Sequence, residues 1–218
     1  MFHVALCVAA LVCCAAARKS GGGGSSSYSD GLDTVDYSLR DMFCDQPLFV
    51  NFAIKTEEIQ LVDNACITSF PLPDDPNTYQ LYYSRVFCDG SSDVVSFIAT
   101  DIERGIIRSA NPFVTVTNIV FGYVGCDTYL LIRNTNFGCS GEPEPYVFGM
   151  SPNCRPLGLS CLRKVEEIVG SSCLPEIDYY VLPQKLPNRC VTQQICINPT
   201  ANNQFYKSIG LSRPLHHL

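Results

Sequence analysis

The chain has 218 residues, 46% of them apolar, and its 15 Lys and Arg against 21 Asp and Glu give a formal charge of −6. That apolar share is enough for a core of ordinary size in one or two domains and excludes wholesale disorder. Cations scattered singly or in pairs along an acidic chain form no stripe that could displace phosphate counterions, so no nucleic-acid partner is expected.

Residues 1–17, MFHVALCVAALVCCAAA, are an apolar run after His3 that ends in three alanines and is followed by Arg18 and Lys19. The small-x-small ending and the short run predict a secretory signal peptide, with no membrane association once it is cleaved. The last residues, SIGLSRPLHHL, are neither a GPI tail nor a retention signal, so free secretion is expected. Residues 18–36 are rich in Gly and Ser and cannot bury enough apolar surface to offset their ordering entropy, which predicts a flexible linker. The run Gly21 to Gly24 lacks the Gly-Lys-Ser/Thr of a phosphate loop.

Beyond the linker, residues 47–54, 59–62, 78–88, 94–99, 105–108, 113–121 and 127–132 are rich in β-branched and aromatic side chains and are separated by turn clusters such as PLPDDPN and CDGSSD. They predict a mainly β protein, a disulfide-rich antiparallel sheet or sandwich, with a β-rich domain over 37–138 and a cysteine-rich region over 139–218. One segment has a different period. Leu162, Val165, Ile168 and Val169 recur at helical spacing, with Ser160 placed to cap the start and Gly170 the end. One short helix is expected over 161–169, tethered by Cys161 and Cys173.

Three of the 13 cysteines fall in the signal peptide, leaving ten: Cys44, Cys66, Cys88, Cys126, Cys139, Cys154, Cys161, Cys173, Cys190 and Cys196. An even number in an oxidising compartment implies five disulfides, whose pairing the spacing does not determine. There is no C-x-x-C, and the histidines after the signal peptide are His216 and His217, so neither a metal nor another cofactor is expected.

The same lack of histidine excludes Ser-His-Asp and Cys-His nucleophiles. Carboxylate-pair chemistry survives on paper, with Asp101 and Glu103, or Asp127, as candidates, but no pattern separates them from solvated acids. The chain has no Trp to form a sugar platform. Tyr79, Tyr82, Tyr83, Tyr123 and Tyr129 could stack on sugars or serve as cross-strand partners. A non-catalytic protein is therefore expected.

As an ordered series, Cys44, PLFVNFAI at 47–54, Cys66, YQLYYSRVFC ending at Cys88, FIATDIERGIIRSANPF at 97–113 and NIVFGYVGCDTYLLI at 118–132 resemble the extracellular galacturonan-binding module of plant wall-associated receptor kinases. The GCDT run, Gly125 to Thr128, is the most specific part. The strict Tyr-Pro-Phe-Gly of the first motif, the Cys-Gly pair and a later adjacent Cys-Cys are missing. The resemblance implies a secreted, kinase-less binder of pectin, an acidic polysaccharide, at the cell wall. An acidic chain needs a local basic face for such a polymer. Arg104, Arg108 and Arg133 on neighbouring strands are the candidates, because a guanidinium fork pairs with sugar carboxylates, and Tyr123 and Tyr129 are the candidate stacking residues. The rival expectation is a disulfide-rich module that binds an extracellular protein, as a receptor decoy or enzyme inhibitor.

Overall fold

A computed structural model describes residues 34–44, 46–112, 114–135, 146–172, 174, 178–185 and 187–194. The expected signal peptide and the expected linker up to residue 33 lie outside the described residues. Eight strands follow one another: β1 (Leu48–Ile54), β2 (Val62–Leu72), β3 (Asp75–Phe87), β4 (Ser92–Glu103), β5 (Ile106–Ala110), β6 (Thr115–Val124), β7 (Thr128–Thr135) and β8 (Tyr146–Ser151). Each pairs antiparallel with the next, and β1 pairs with both β2 and β8. The sheet therefore closes on itself as an up-and-down barrel. Closure removes the two unpaired edges that an open sheet would expose, which matters when β2, β3 and β4 run to 11, 13 and 12 residues.

The antiparallel β expectation holds, in the more specific form of a closed barrel in place of a sheet or sandwich. The barrel also runs past residue 138, since β8 supplies the closing strand. Residues 59–62, expected as a strand, begin as a 3-10 turn at Ile59–Leu61, and the true strand is β2. Its end, Ser-Phe-Pro-Leu, has the composition of a turn, and Pro71 hides the strand from a propensity reading. β8 carries Gly149 in mid-strand, which also reads as a break. That glycine leaves room for the ring of Phe52, its register neighbour on β1.

Alternation along the strands sends one set of side chains into the barrel and the other outward. Leu81, Ile107, Leu131, Phe148 and Met150 belong to the inner cluster. The outer faces of β6, β7 and β8 are also apolar. Phe121, Leu130, Ile132 and Val147 form a second cluster with Cys161, Val165 and Val169 of helix α2 (Leu159–Ser171). Strands apolar on both faces need this cover, and burying each aliphatic side chain contributes about 1.5–3 kcal/mol. The helix expected over 161–169 is present with an extra turn's worth of ends, and a disulfide from Cys126 to Cys161 ties it to the β6–β7 hairpin.

A second helix, α1 (Leu39–Phe43), was not legible because it is barely one turn long. Ser38 and Asp41 form a reciprocal capping box, and Leu39, Met42 and Phe43 are buried against the inner cluster. The Leu39 amide donates to the Asp101 carboxylate on β4, and the Gly105 amide of the β4–β5 hairpin donates to the Tyr37 carbonyl. These bonds hold α1 across the barrel end that carries the β4–β5 and β6–β7 hairpins. Gly105 has φ +83°, and a Cβ there would press on the Val35 carbonyl, so a side chain is excluded twice over.

The C-terminal described segment straps the outside. β9 (Tyr179–Val181) pairs with the second half of β1, after the bulge at Asn51. The Leu182 amide donates to the Asn51 carbonyl, the Asn64 amide to Gln184 at 2.8 Å, and a disulfide joins Cys66 to Cys190.

Candidate ligand cavity

The barrel holds a partly open cavity of about 70 Å³ above α1. Its wall is aliphatic and aromatic apart from Ser109, Asn118, Arg133 and the phenols of Tyr83 and Tyr146. None of the described residues lining it is Asp, Glu, His or Cys. At about 10–15 Å³ per water-sized group, the space takes about five to seven such groups, and because the cavity is not fully closed a longer apolar tail can extend out of it.

Arg133 is the unusual member. It lies on β7 two residues beyond Leu131, on the same inward face, with Asn118 of β6 as its register partner. Its guanidinium sits 5.0 Å from the Tyr146 ring centre and 5.3 Å from that of Phe148. These rings attract the cation through their faces. Two of its nitrogens, however, find no acceptor: Nε and Nη1 are shut away from solvent without a hydrogen-bond partner among the described residues, and Asn118 Oδ1 is equally unpartnered. Burial lowers the Arg133 pKa from its ordinary value, against the smaller opposing influence of the Tyr146 and Tyr83 phenols. Withdrawing a charge from water without a counter-charge costs several kcal/mol.

Arg85 on β3 shows what a balanced arginine in this barrel looks like. It is 3% exposed, yet its guanidinium meets Asp93 at 2.5 Å and Glu58 at 2.8 Å and lies 4.9 Å from the Phe87 ring centre. Burial acts to lower its pKa, but the Asp93 hydrogen bond and the neighbouring charges outweigh it, and the net shift is upward. Glu58 is raised, chiefly by its own desolvation. Arg133 has no such carboxylate among the described residues.

The other arginines singled out in the sequence lie elsewhere. Arg104, in the β4–β5 hairpin, contacts Asp36 and lies 2.8 Å from Asp41 beside α1. Arg108 is exposed on the outer face of β5, between the inward Ile107 and Ser109. The three cations thus point to the barrel end, the outside and the interior. Tyr123 and Tyr129 face each other across β6 and β7 with ring centres 5.1 Å apart, and Tyr37 packs against both. The Tyr123 hydroxyl donates to Asp127, which with burial pushes its pKa up to about 12. Tyr129 stands about 13 Å along the strand from Arg133, so the tyrosines and that arginine do not share one site. Asp101 caps α1, Asp127 accepts from Tyr123, and Glu103 is exposed.

Two of the expected disulfides, Cys66–Cys190 and Cys126–Cys161, are present. Cys44, Cys88 and Cys154 are exposed and bridge to no described residue, while Cys139, Cys173 and Cys196 lie outside the described residues.

No protein-family model matches the chain, and no curated protein matches it. Solved structures do. The solution structure of lipocalin 12 from rat epididymis aligns with a TM-score of 0.53 at 11% identity, covering 74% of this chain and 93% of that one. The siderocalin Ex-FABP, which functions through dual ligand specificities, aligns with a TM-score of 0.50 at 9% identity, covering 65% and 95%. The cockroach allergen Per a 4 aligns with a TM-score of 0.50 at 8% identity, covering 64% and 83%. The fold is a lipocalin-like barrel.

This overturns the resemblance to the galacturonan-binding module of wall-associated kinases. In the lipocalin-like barrel the GCDT run is the β6–β7 hairpin: Asp127 takes a left-handed turn conformation at φ 56°, and Cys126 anchors α2. A strand, a tight turn and a structural cysteine are local needs that unrelated β proteins share. Nothing in the barrel supports a pectin site or a role tied to the cell wall.

Proposed function

We propose that this chain is a secreted, non-catalytic binding protein that holds a small, largely apolar molecule inside its barrel. The observation that carries this reading is the cavity itself: a void walled by apolar side chains, with α1 across one end, set beside the inner apolar cluster. The fold agrees with it, since eight strands leave just enough interior for side chains or one small ligand. The two disulfides, with the signal peptide expected at residues 1–17, support an oxidising, extracellular location.

The test is calorimetric titration of the oxidised protein with 1-octanol, a neutral apolar ligand. Saturable one-to-one binding with a negative heat-capacity change is expected. Ser109→Phe, which puts a ring into the cavity, should abolish the signal while the folded transition persists. Absence of saturable binding to the wild-type chain would refute the reading.

A further inference from the structure

We propose that the molecule held in this cavity is an amphipathic monoanion, a carboxylate on an apolar body, whose head pairs with Arg133. The inference rests on the binding reading above and specifies the chemistry of the ligand. Four observations carry it. Arg133 lines the cavity, so a ligand can reach it. Its Nε and Nη1 have no partner and no access to solvent. Its ring neighbours, Tyr146 and Phe148, attract the cation from 5.0 and 5.3 Å but supply no counter-charge. The other arginine of the interior, Arg85, is matched by Asp93 and Glu58 and does not compete for an anion.

Other uncharged polar groups of the wall cannot substitute for an anion. Ser109 and Asn118 offer a hydroxyl and an amide, which hydrogen-bond without neutralising charge. Asn118 stands opposite Arg133 across β6 and β7, but its unpartnered Oδ1 is an acceptor and adds no bond to a carboxylate. A carboxylate suits the fork of a guanidinium, two parallel N–H···O bonds in one plane. It also suits the charge: one cation is balanced by one anion, whereas a phosphate dianion would leave an excess negative charge among Tyr83, Phe97 and Leu131. The rest of the wall is apolar, so the remainder of the ligand is hydrocarbon or ring.

The experiment compares octanoate, 1-octanol, octylamine and octyl phosphate on the oxidised full chain at neutral pH, then repeats the series on Arg133→Met and Arg133→Lys. Octanoate is expected to bind about tenfold or more tighter than 1-octanol, as a charge-assisted pair requires, with octylamine weakest and octyl phosphate below octanoate. Arg133→Met should erase the octanoate advantage and leave 1-octanol nearly unchanged, and Arg133→Lys should keep part of it. Saturable 1-octanol binding with octanoate no tighter would overturn the carboxylate inference and leave the binding reading standing. Failure of all four ligands would overturn both. If Arg133→Met does not fold, the wild-type ratio of octanoate to 1-octanol decides.

Discussion

The unpartnered charge of Arg133 makes a stability prediction that runs against the usual effect of replacing a buried residue. Removing one member of a buried ion pair costs about 3–5 kcal/mol because it strands the other charge, and ligand-free Arg133 is already in that stranded state. The faces of Tyr146 and Phe148 return about 1–3 kcal/mol of this through cation–π attraction. Methionine keeps much of the side-chain volume and its ring contacts while removing the charge. Arg133→Met is therefore expected to stabilise the ligand-free protein by about 1–3 kcal/mol, a rise of about 2–12 °C in Tm for a chain of this size. Urea and thermal unfolding of wild type, Arg133→Met and Arg133→Lys measure it, and the lysine variant should show no gain. Octanoate at about 100 times its Kd should add about 2.7 kcal/mol to the wild type alone and so close the gap. A loss of about 1 kcal/mol or more in ligand-free Arg133→Met would refute the reasoning and make Arg133 a structural support of the barrel.

Gly149→Ala should cost about 1–3 kcal/mol, because its Cβ meets the buried Phe52 ring, and in a Phe52→Ala background that penalty should vanish. Additive losses in this double-mutant cycle would contradict the contact. Replacing Cys66 and Cys190 together by serine opens a link spanning 124 residues and should lower stability by about 4–5 kcal/mol, read from the urea midpoint. Asp41 gives a pH signature. Hydrogen bonds from the Ser38 amide and hydroxyl, with the Arg104 charge, hold its carboxyl below the usual carboxylate value. A depressed folded pKa contributes stability above the unfolded value and loses it as pH falls through the folded one. Asp41→Asn should therefore flatten the fall of Tm below about pH 4. Burial shifts Asp101 the other way, and the Asp41 charge adds to that rise, so Asp41→Asn also eases the Asp101 carboxyl back toward its ordinary value.

The strands with dense β-branched and aromatic runs, β3, β6 and β7, were legible because each carries its own local signal. So was α2, where four apolar residues at helical spacing declare one buried face. β2 and β8 were not, since Pro71 and Gly149 are intelligible only beside the strands they meet, and α1 was too short to show a period. For the cavity, residue chemistry was readable and placement was not. Arg133 was selected for its fork, but a surface arginine and a stranded interior one have the same local sequence context.

Composition and alternation alone determined that this is a β-rich, disulfide-bonded protein with one amphipathic helix. Tertiary structure decided that the sheet closes, and with it which side chains face a cavity. Closure pairs β1 with β8, about a hundred residues away, through backbone bonds that no local pattern encodes. Bulges between Val50 and Phe52 and between Val120 and Gly122 also shift the inward set by one residue, so that Val50 and Ala53, or Val120 and Tyr123, face the same way. A period of two cannot be carried through such a step, because each bulge reverses the face of every residue that follows it.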